Sequence, residues 1–285
     1  YNWYTQDRCH FKSVYITKQY HGLYTSSMAG SSSWDSCWFV DNEADGAYMP
    51  KAADEYFVSC SFMNNGRNGL TYGGEPGEIG LGALHLANCT FYGSGNDDVH
   101  IEGYDDESMA FGAYFTNCQS DSASRYGLYV KNAQGIQWHG IIGWADSHAI
   151  YIDNNVKELK LSGSINDCGG EGIYINGQDT RNIQIETQIM SMGRASWDTV
   201  KAGVRLAGGC NNIFGSIMSG NGIAAPGAGY SRTTQRYGLF IDAGTTSPTE
   251  VDLRGQFVGN ITSNTSSTGT VSPTVKITDA TSTTI

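Results

Sequence analysis

Short runs of alternating apolar and polar residues recur along this chain, separated by turn residues. The clearest is a tetrad of small, apolar, variable and apolar residues. It reads Gly22-Leu23-Tyr24-Thr25, Gly46-Ala47-Tyr48-Met49, Gly69-Leu70-Thr71-Tyr72, Asp98-Val99-His100-Ile101 and Gly127-Leu128-Tyr129-Val130. It continues as Ala149-Ile150-Tyr151-Ile152, Gly172-Ile173-Tyr174-Ile175, Gly203-Val204-Arg205-Leu206, Gly238-Leu239-Phe240-Ile241 and Thr274-Val275-Lys276-Ile277. The spacings are 24, 23, 29, 29, 22, 23, 31, 35 and 36 residues, a base period near 23 with insertions in the longer intervals. A second alternating run follows each anchor, as in Leu84-His85-Leu86, Ile136-Gln137-Trp138, Leu159-Lys160-Leu161, Ile183-Gln184-Ile185 and Val251-Asp252-Leu253. A third opens with cysteine in the early copies: Cys9-His10-Phe11, Cys37-Trp38-Phe39, Cys60-Ser61-Phe62 and Cys89-Thr90-Phe91.

Period-2 runs bounded by Gly, Asn, Asp and Ser are strands, and no window keeps a 3.6-residue period. Two or three short strands per repeat, without helices, predict an all-β fold: a single-stranded right-handed parallel β-helix of about nine to ten rungs. Residues 1–244 form the helix in this reading. Residues 245–285, where aromatics give way to Ser and Thr, form a final rung and a capping or oligomerising segment. The second residue of each tetrad, from Leu23 to Leu239, then points inward, and Cys37, Cys60, Cys89 and Cys118 stack as an inward ladder.

Composition narrows the function classes. Twenty-eight acids against 17 bases give a net charge of −11, which repels phosphate backbones and argues against nucleic acid. No run of 18 apolar residues is present, so no membrane insertion is expected. Seven cysteines without CxxC or zinc spacing point to buried thiols of a protein assembled in a reducing compartment, with neither a metal nor a cofactor. A chain that starts at Tyr1 reads as part of a longer protein.

The third tetrad residue faces outward, giving the column Tyr24, Tyr48, Thr71, His100, Tyr129, Tyr151, Tyr174, Arg205, Phe240 and Lys276. Such an aromatic face is a surface on which sugar rings stack, a structural ladder, or a face against a neighbouring subunit. An acid cluster crosses it: Gly95-Asn96-Asp97-Asp98-Val99-His100-Ile101-Glu102-Gly103-Tyr104-Asp105-Asp106-Glu107. Alternation puts Asp98, His100 and Glu102 outside, with Asp97 at the turn. These four are the candidate catalytic residues, since glycoside hydrolysis needs one protonated and one ionised carboxyl beside the bond; a solvated acidic loop is the plainer alternative. Arg125, Tyr129, Lys131, Tyr151 and Tyr174 are the candidate substrate-binding residues. Asp146, His148, Asp153 and Glu171 form a second polar patch, read as a surface ion pair or an alternative acid/base location. Tyr129, Lys131 and Asp153 keep lyase chemistry open. Insertions near 73–82, 104–112, 191–201 and 224–236 are expected to build groove walls or subunit contacts.

Gly95-Asn96-Asp97-Asp98-Val99-His100-Ile101 resembles the Gly-Asp-Asp-apolar strand motif of polygalacturonase-type glycoside hydrolases. The tetrad repeat, over nearly the whole chain, resembles the pectate-lyase-like right-handed β-helix superfamily, which includes bacteriophage tailspikes. That family's preceding-rung Asn-Thr-Asp falls at Arg67-Asn68-Gly69, and its following-rung Gly-His-Gly at Arg125-Tyr126-Gly127, so pectin is not the expected substrate. The resemblance implies a tailspike fragment, a homotrimer of the virion or extracellular space assembled in the host cytoplasm. It implies an endoglycosidase on bacterial capsule or O-antigen polysaccharide, with a lyase or a non-catalytic receptor-binding spike as alternatives.

Overall fold

A computed structural model describes residues 9–25, 29–75, 83–190, 192–193, 200–220, 235–242, 248–258, 263–268 and 276–279. Among them there is no helix; parallel strands make up one 15-stranded, one 10-stranded and one two-stranded sheet. This is the arrangement of a parallel β-solenoid.

The tetrads form the 10-stranded sheet. Leu23 pairs with Ala47, Ala47 with Leu70, and so on through Val99, Leu128, Ile150, Ile173, Val204 and Leu239. All nine are at most 4% exposed, as their inward register requires. Nine steps of about 4.8 Å make this sheet roughly 43 Å long. The tenth copy differs from expectation: Ser263–Thr268 pairs with Tyr237–Asp242, whereas Lys276–Asp279 joins the large sheet beside Asp252. The Ser/Thr run therefore continues the tetrad ladder, and its apolar-looking neighbour does not.

The second and third runs share the large sheet. In the early rungs a residue at φ near +54° separates them: Ser36, Ser59, Asn88 and Asn117, each directly before a ladder cysteine. Ser and Asn tolerate that left-handed corner. Cys37, Cys60, Cys89 and Cys118 are at most 2% exposed, with Sγ donating to backbone carbonyls such as Trp34 O from Cys60 at 3.2 Å. Cys9 stands apart. His10 pairs with Ser33, and it is Tyr15 that pairs with Trp38, so Val14-Tyr15-Ile16 occupies the place assigned to Cys9-His10-Phe11.

Inside, Phe39, Phe62 and Phe91 stack at 4.9 Å centroid spacing, each side chain stabilising the chain by roughly 2–3 kcal/mol through burial. Beside them Asn65 Oδ1 accepts from Asn42 Nδ2 at 2.9 Å, and Asn65 Nδ2 donates to Phe39 O at 3.0 Å. Both ladders stop at the next rungs. Ser94 and then Ala123 succeed the asparagines, and Ser120 succeeds the phenylalanines. The insertion near 104–112 is a turn leading into the Ala110–Asp121 strand; those near 73–82, 191–201 and 224–236 fall mostly outside the described residues.

Candidate functional site

Asp98 does not reach the outer face. It is 0% exposed, with its carboxylate accepting from Ser94 Oγ at 2.7 Å, Ser120 Oγ at 2.7 Å and Asp121 N at 2.9 Å. The other tetrads from Gly22 to Gly238 open with Gly or Ala because the next rung presses on that position. A Cβ on Gly46 would meet Phe62 at 3.2 Å, and one on Gly127 would meet Ile142 at 2.4 Å. Above Asp98 that neighbour is Ser120, and the Asn ladder has ended, so the carboxylate fills the space of both. Burial pushes its pKa up to about 7 against the opposing Ser120 and Ser94 hydrogen bonds. The preceding turn, rather than strand alternation, sets the direction of this side chain.

Asp97 is also 0% exposed. Arg125 donates to it from Nε at 2.8 Å and from Nη2 at 2.5 Å, Tyr126 N donates at 3.2 Å, and His100 Nδ1 lies 2.8 Å away. The carboxylate is enclosed, and Arg125 caps it. His100 does face outward, between Asp97 and Glu102, whose Oε2 is 3.0 Å from Nε2. Burial works against the imidazolium, yet the hydrogen bonds to Asp97 and Glu102 outweigh it and raise the His100 pKa. Glu102 is pulled down to about 2 by His100 first and then by Lys131, whose Nζ sits 2.9 Å from Oε1. Glu102 is thus an ionised carboxylate at the sheet edge.

The outward column is less open than its composition suggests. Tyr129 and Phe240 are 8% and 7% exposed, while Tyr24 reaches 37%. The rings lie on one another: His100 on Tyr129 at 4.6 Å, Tyr129 and Tyr151 at 5.9 Å, Tyr126 on Tyr151 at 5.0 Å, and Tyr174 edge-on to Tyr151 at 5.3 Å. Most of their faces are spent on each other, so the column presents ring edges and hydroxyls.

The second polar patch is not a surface pair either. His148 is 8% and Glu171 0% exposed, and His148 Nδ1 lies 2.7 Å from Glu171 Oε2. Arg205 Nη1 reaches Glu171 Oε1 at 3.2 Å. Asp146 is exposed at a turn.

The open site lies at the C-terminal ends of the tetrad strands. A cleft of about 440 Å³ is lined by Asp106, Asp153, Asn154, Asn155, Asn176, Gln178 and Asp179, with Gly177 and Gly208. Tyr129 donates its hydroxyl to Asp153 Oδ2 at 3.2 Å, Asn155 Nδ2 donates to Asp106 Oδ1 at 2.8 Å, and Asn176 Nδ2 donates to the Tyr151 hydroxyl at 3.1 Å. The strand register places Glu102, Lys131, Asp153 and Asn176 in one column. Glu102 and Asp153 are two rungs, about 9–10 Å, apart along the backbone. Asp106 belongs to the acid cluster of the sequence but was given no role there, and Asn154, Asn155, Asn176, Gln178 and Asp179 were not among the sequence candidates. The signal was present in the polar turns Asp153-Asn154-Asn155 and Asn176-Gly177-Gln178-Asp179, which follow equivalent tetrads. Among the described residues no group of three or more His, Cys, Asp or Glu is arranged to hold a metal ion.

No family model matches this chain, and no curated protein or solved structure is significantly similar to it.

Proposed function

We propose that the chain is a right-handed β-helix of the tailspike kind, which binds a bacterial surface polysaccharide along its tetrad face and hydrolyses it at the C-terminal edge of that sheet. The supporting observation is the polar cleft joined to a rigid aromatic column. Sugar sites combine ring edges with Asp, Asn and Gln groups that exchange hydrogen bonds with hydroxyls. Asp97 and Asp98 are enclosed and fully engaged, so the reacting pair is Glu102 and Asp153. Their strands are two steps apart, with room for a water between the side chains, as an inverting pair needs. Glu102, held ionised, serves as base toward water. Asp153, whose Oδ2 accepts from the Tyr129 hydroxyl in the cleft, is the second carboxyl of the pair, on the side of the departing sugar oxygen. Assembly as a homotrimer on a virion belongs to the same proposal.

The test is incubation with a panel of capsular and O-antigen polysaccharides, followed by chromatography of released oligosaccharides. Asp153→Asn and Glu102→Gln should each reduce release by about a hundredfold or more while binding persists, and Asp98→Asn should leave it unchanged. Release that survives both edge variants sinks the assignment. Unsaturated uronate ends on the products would convert it to a lyase. One observation favours a non-catalytic spike: Lys131 and His100 already occupy both oxygens of Glu102. On that reading no oligosaccharide appears, and Tyr151→Ala weakens binding by about 1–2 kcal/mol.

A further inference from the structure

The N-terminal edge of the same sheet carries a repeated device. In two equivalent places a buried carboxylate is capped by the arginine of the following rung, Asp45 by Arg67 and Asp97 by Arg125, with a histidine beside each, His21 from the rung before Asp45 and His100 from the strand of Asp97 itself. Asp45 and Asp97 are both 0% exposed, whereas the arginine side chains are 47% and 39% exposed. Each arginine spends the same side on its carboxylate. Arg67 donates from Nε to Asp45 Oδ1 at 2.8 Å and from Nη2 to Oδ2, and Arg125 does likewise on Asp97. Each guanidinium is also laid over tyrosine, Arg67 on Tyr48 at 5.5 Å and Arg125 on Tyr126 at 4.7 Å.

A guanidinium has two donor forks. The Nε/Nη2 fork is used here, while Nη1 makes no hydrogen bond among the described residues, leaving it and the second Nη2 hydrogen as the other fork. The free fork is held rigid by the carboxylate and the ring, which removes the ordering cost an exposed arginine ordinarily incurs on binding. Arg205 is different: its Nη1 and Nη2 are engaged by Glu171 and Asp242, so the device has two free copies.

Arg67, Asn96 and Arg125 are in direct register, Asn96 N donating to Arg67 O at 2.7 Å and Arg125 N to Asn96 O at 2.8 Å. Two strand steps therefore set the forks about 10 Å apart along the rod. A carboxylate matches the fork in geometry and charge, and an extended polysaccharide presents the same side on alternate sugars. Resting on the polysaccharide reading above, we infer that Arg67 and Arg125 form a two-point carboxylate site, making the substrate an acidic polysaccharide with a carboxylate on alternate sugars. The net charge of −11 makes such local forks the means by which a polyanion is held at all.

The experiment titrates the full chain with sodium glucuronate and, separately, with glucose, reading the guanidinium ¹H–¹⁵N resonances of Arg67, Arg125 and Arg254. Arg254, 70% exposed beside Asp252, reports unspecific attraction. Saturable shifts at Arg67 and Arg125 with glucuronate and none with glucose are expected, Arg254 responding weakly and linearly. Equal response at Arg254, or none at the two forks, overturns the inference. Arg67→Lys and Arg125→Lys keep the charge over Asp45 and Asp97 but lose the fork, so each should weaken glucuronate by about tenfold at its own site. Unchanged affinity overturns it as well. A last arm separates the two readings. Equal binding of an acidic polysaccharide and its carboxyl-reduced form refutes the forks and leaves the proposed function standing. Glucuronate binding at the forks by a chain that holds no polysaccharide of the panel refutes the proposed function and leaves the carboxylate site.

Discussion

Replacing Asp98 by Asn tests the assignment of this residue to the interior. Its carboxyl has an ordinary value of 3.8 and is pushed to about 7 in the folded chain. The gap is close to three pH units, which at about 1.36 kcal/mol each amounts to about 4 kcal/mol. The folded value is the raised one, so the folded state holds its proton where the unfolded state has lost it. The contribution is fully present below about pH 4, falls as pH rises, and is gone above about pH 7. Asn removes the titration while meeting the same partners: Oδ1 accepts from Asp121 N, and the hydroxyls of Ser94 and Ser120 turn to accept from Nδ2 or donate to Oδ1. Thermal melts of both proteins from pH 4 to pH 8 should show Asp98→Asn gaining on the parent as pH rises. The change across that range should approach about 4 kcal/mol, at roughly 2 °C per kcal/mol for a chain of this size. Glu55, also pushed up to about 7 by burial, gives both proteins the same slope and cancels in the difference. A difference that does not vary with pH, or loss of polysaccharide cleavage in Asp98→Asn, would refute the interior role.

Two further outcomes follow from the same network. Arg125→Met strands the buried Asp97 carboxylate and should cost about 3 kcal/mol in denaturant unfolding, while the added Asp97→Asn recovers part of it; additive effects would mean that the pair is not coupled. His100 should titrate by NMR with a midpoint above 6.5, its pairing present below the ordinary value and lost as pH rises through the higher one, and Asp97→Asn should lower that midpoint.

The inward column from Leu23 to Leu239 was legible because alternation inside a strand is dictated by the backbone and does not depend on what lies above or below. The failures all concern relations between rungs. Cys9 has the same triplet spelling as Cys37, but its strand pairs with Ser33–Asp35, and only the register reveals this. Thr274-Val275-Lys276-Ile277 has the tetrad's spelling, yet Ser263–Thr268 takes that place, because backbone pairing accepts a Ser/Thr strand once a neighbouring strand offers its edge. Asp98 is the sharpest case. Its own strand says outward, and the reason it lies inside is written one rung on, where Phe39, Phe62 and Phe91 are followed by Ser120, and in the adjoining file, where Asn42 and Asn65 are followed by Ser94 and Ala123. Two ladders lose volume together, and a carboxylate with three donors refills the space. The edges of the sheet obey the same rule in reverse. Arg67 and Arg125 mean little singly, and become a pair of forks only because the solenoid lays every second rung in register with a buried carboxylate beneath each. In a repeat protein the chemistry is carried by columns, so a motif read along the chain finds the strand and misses the site.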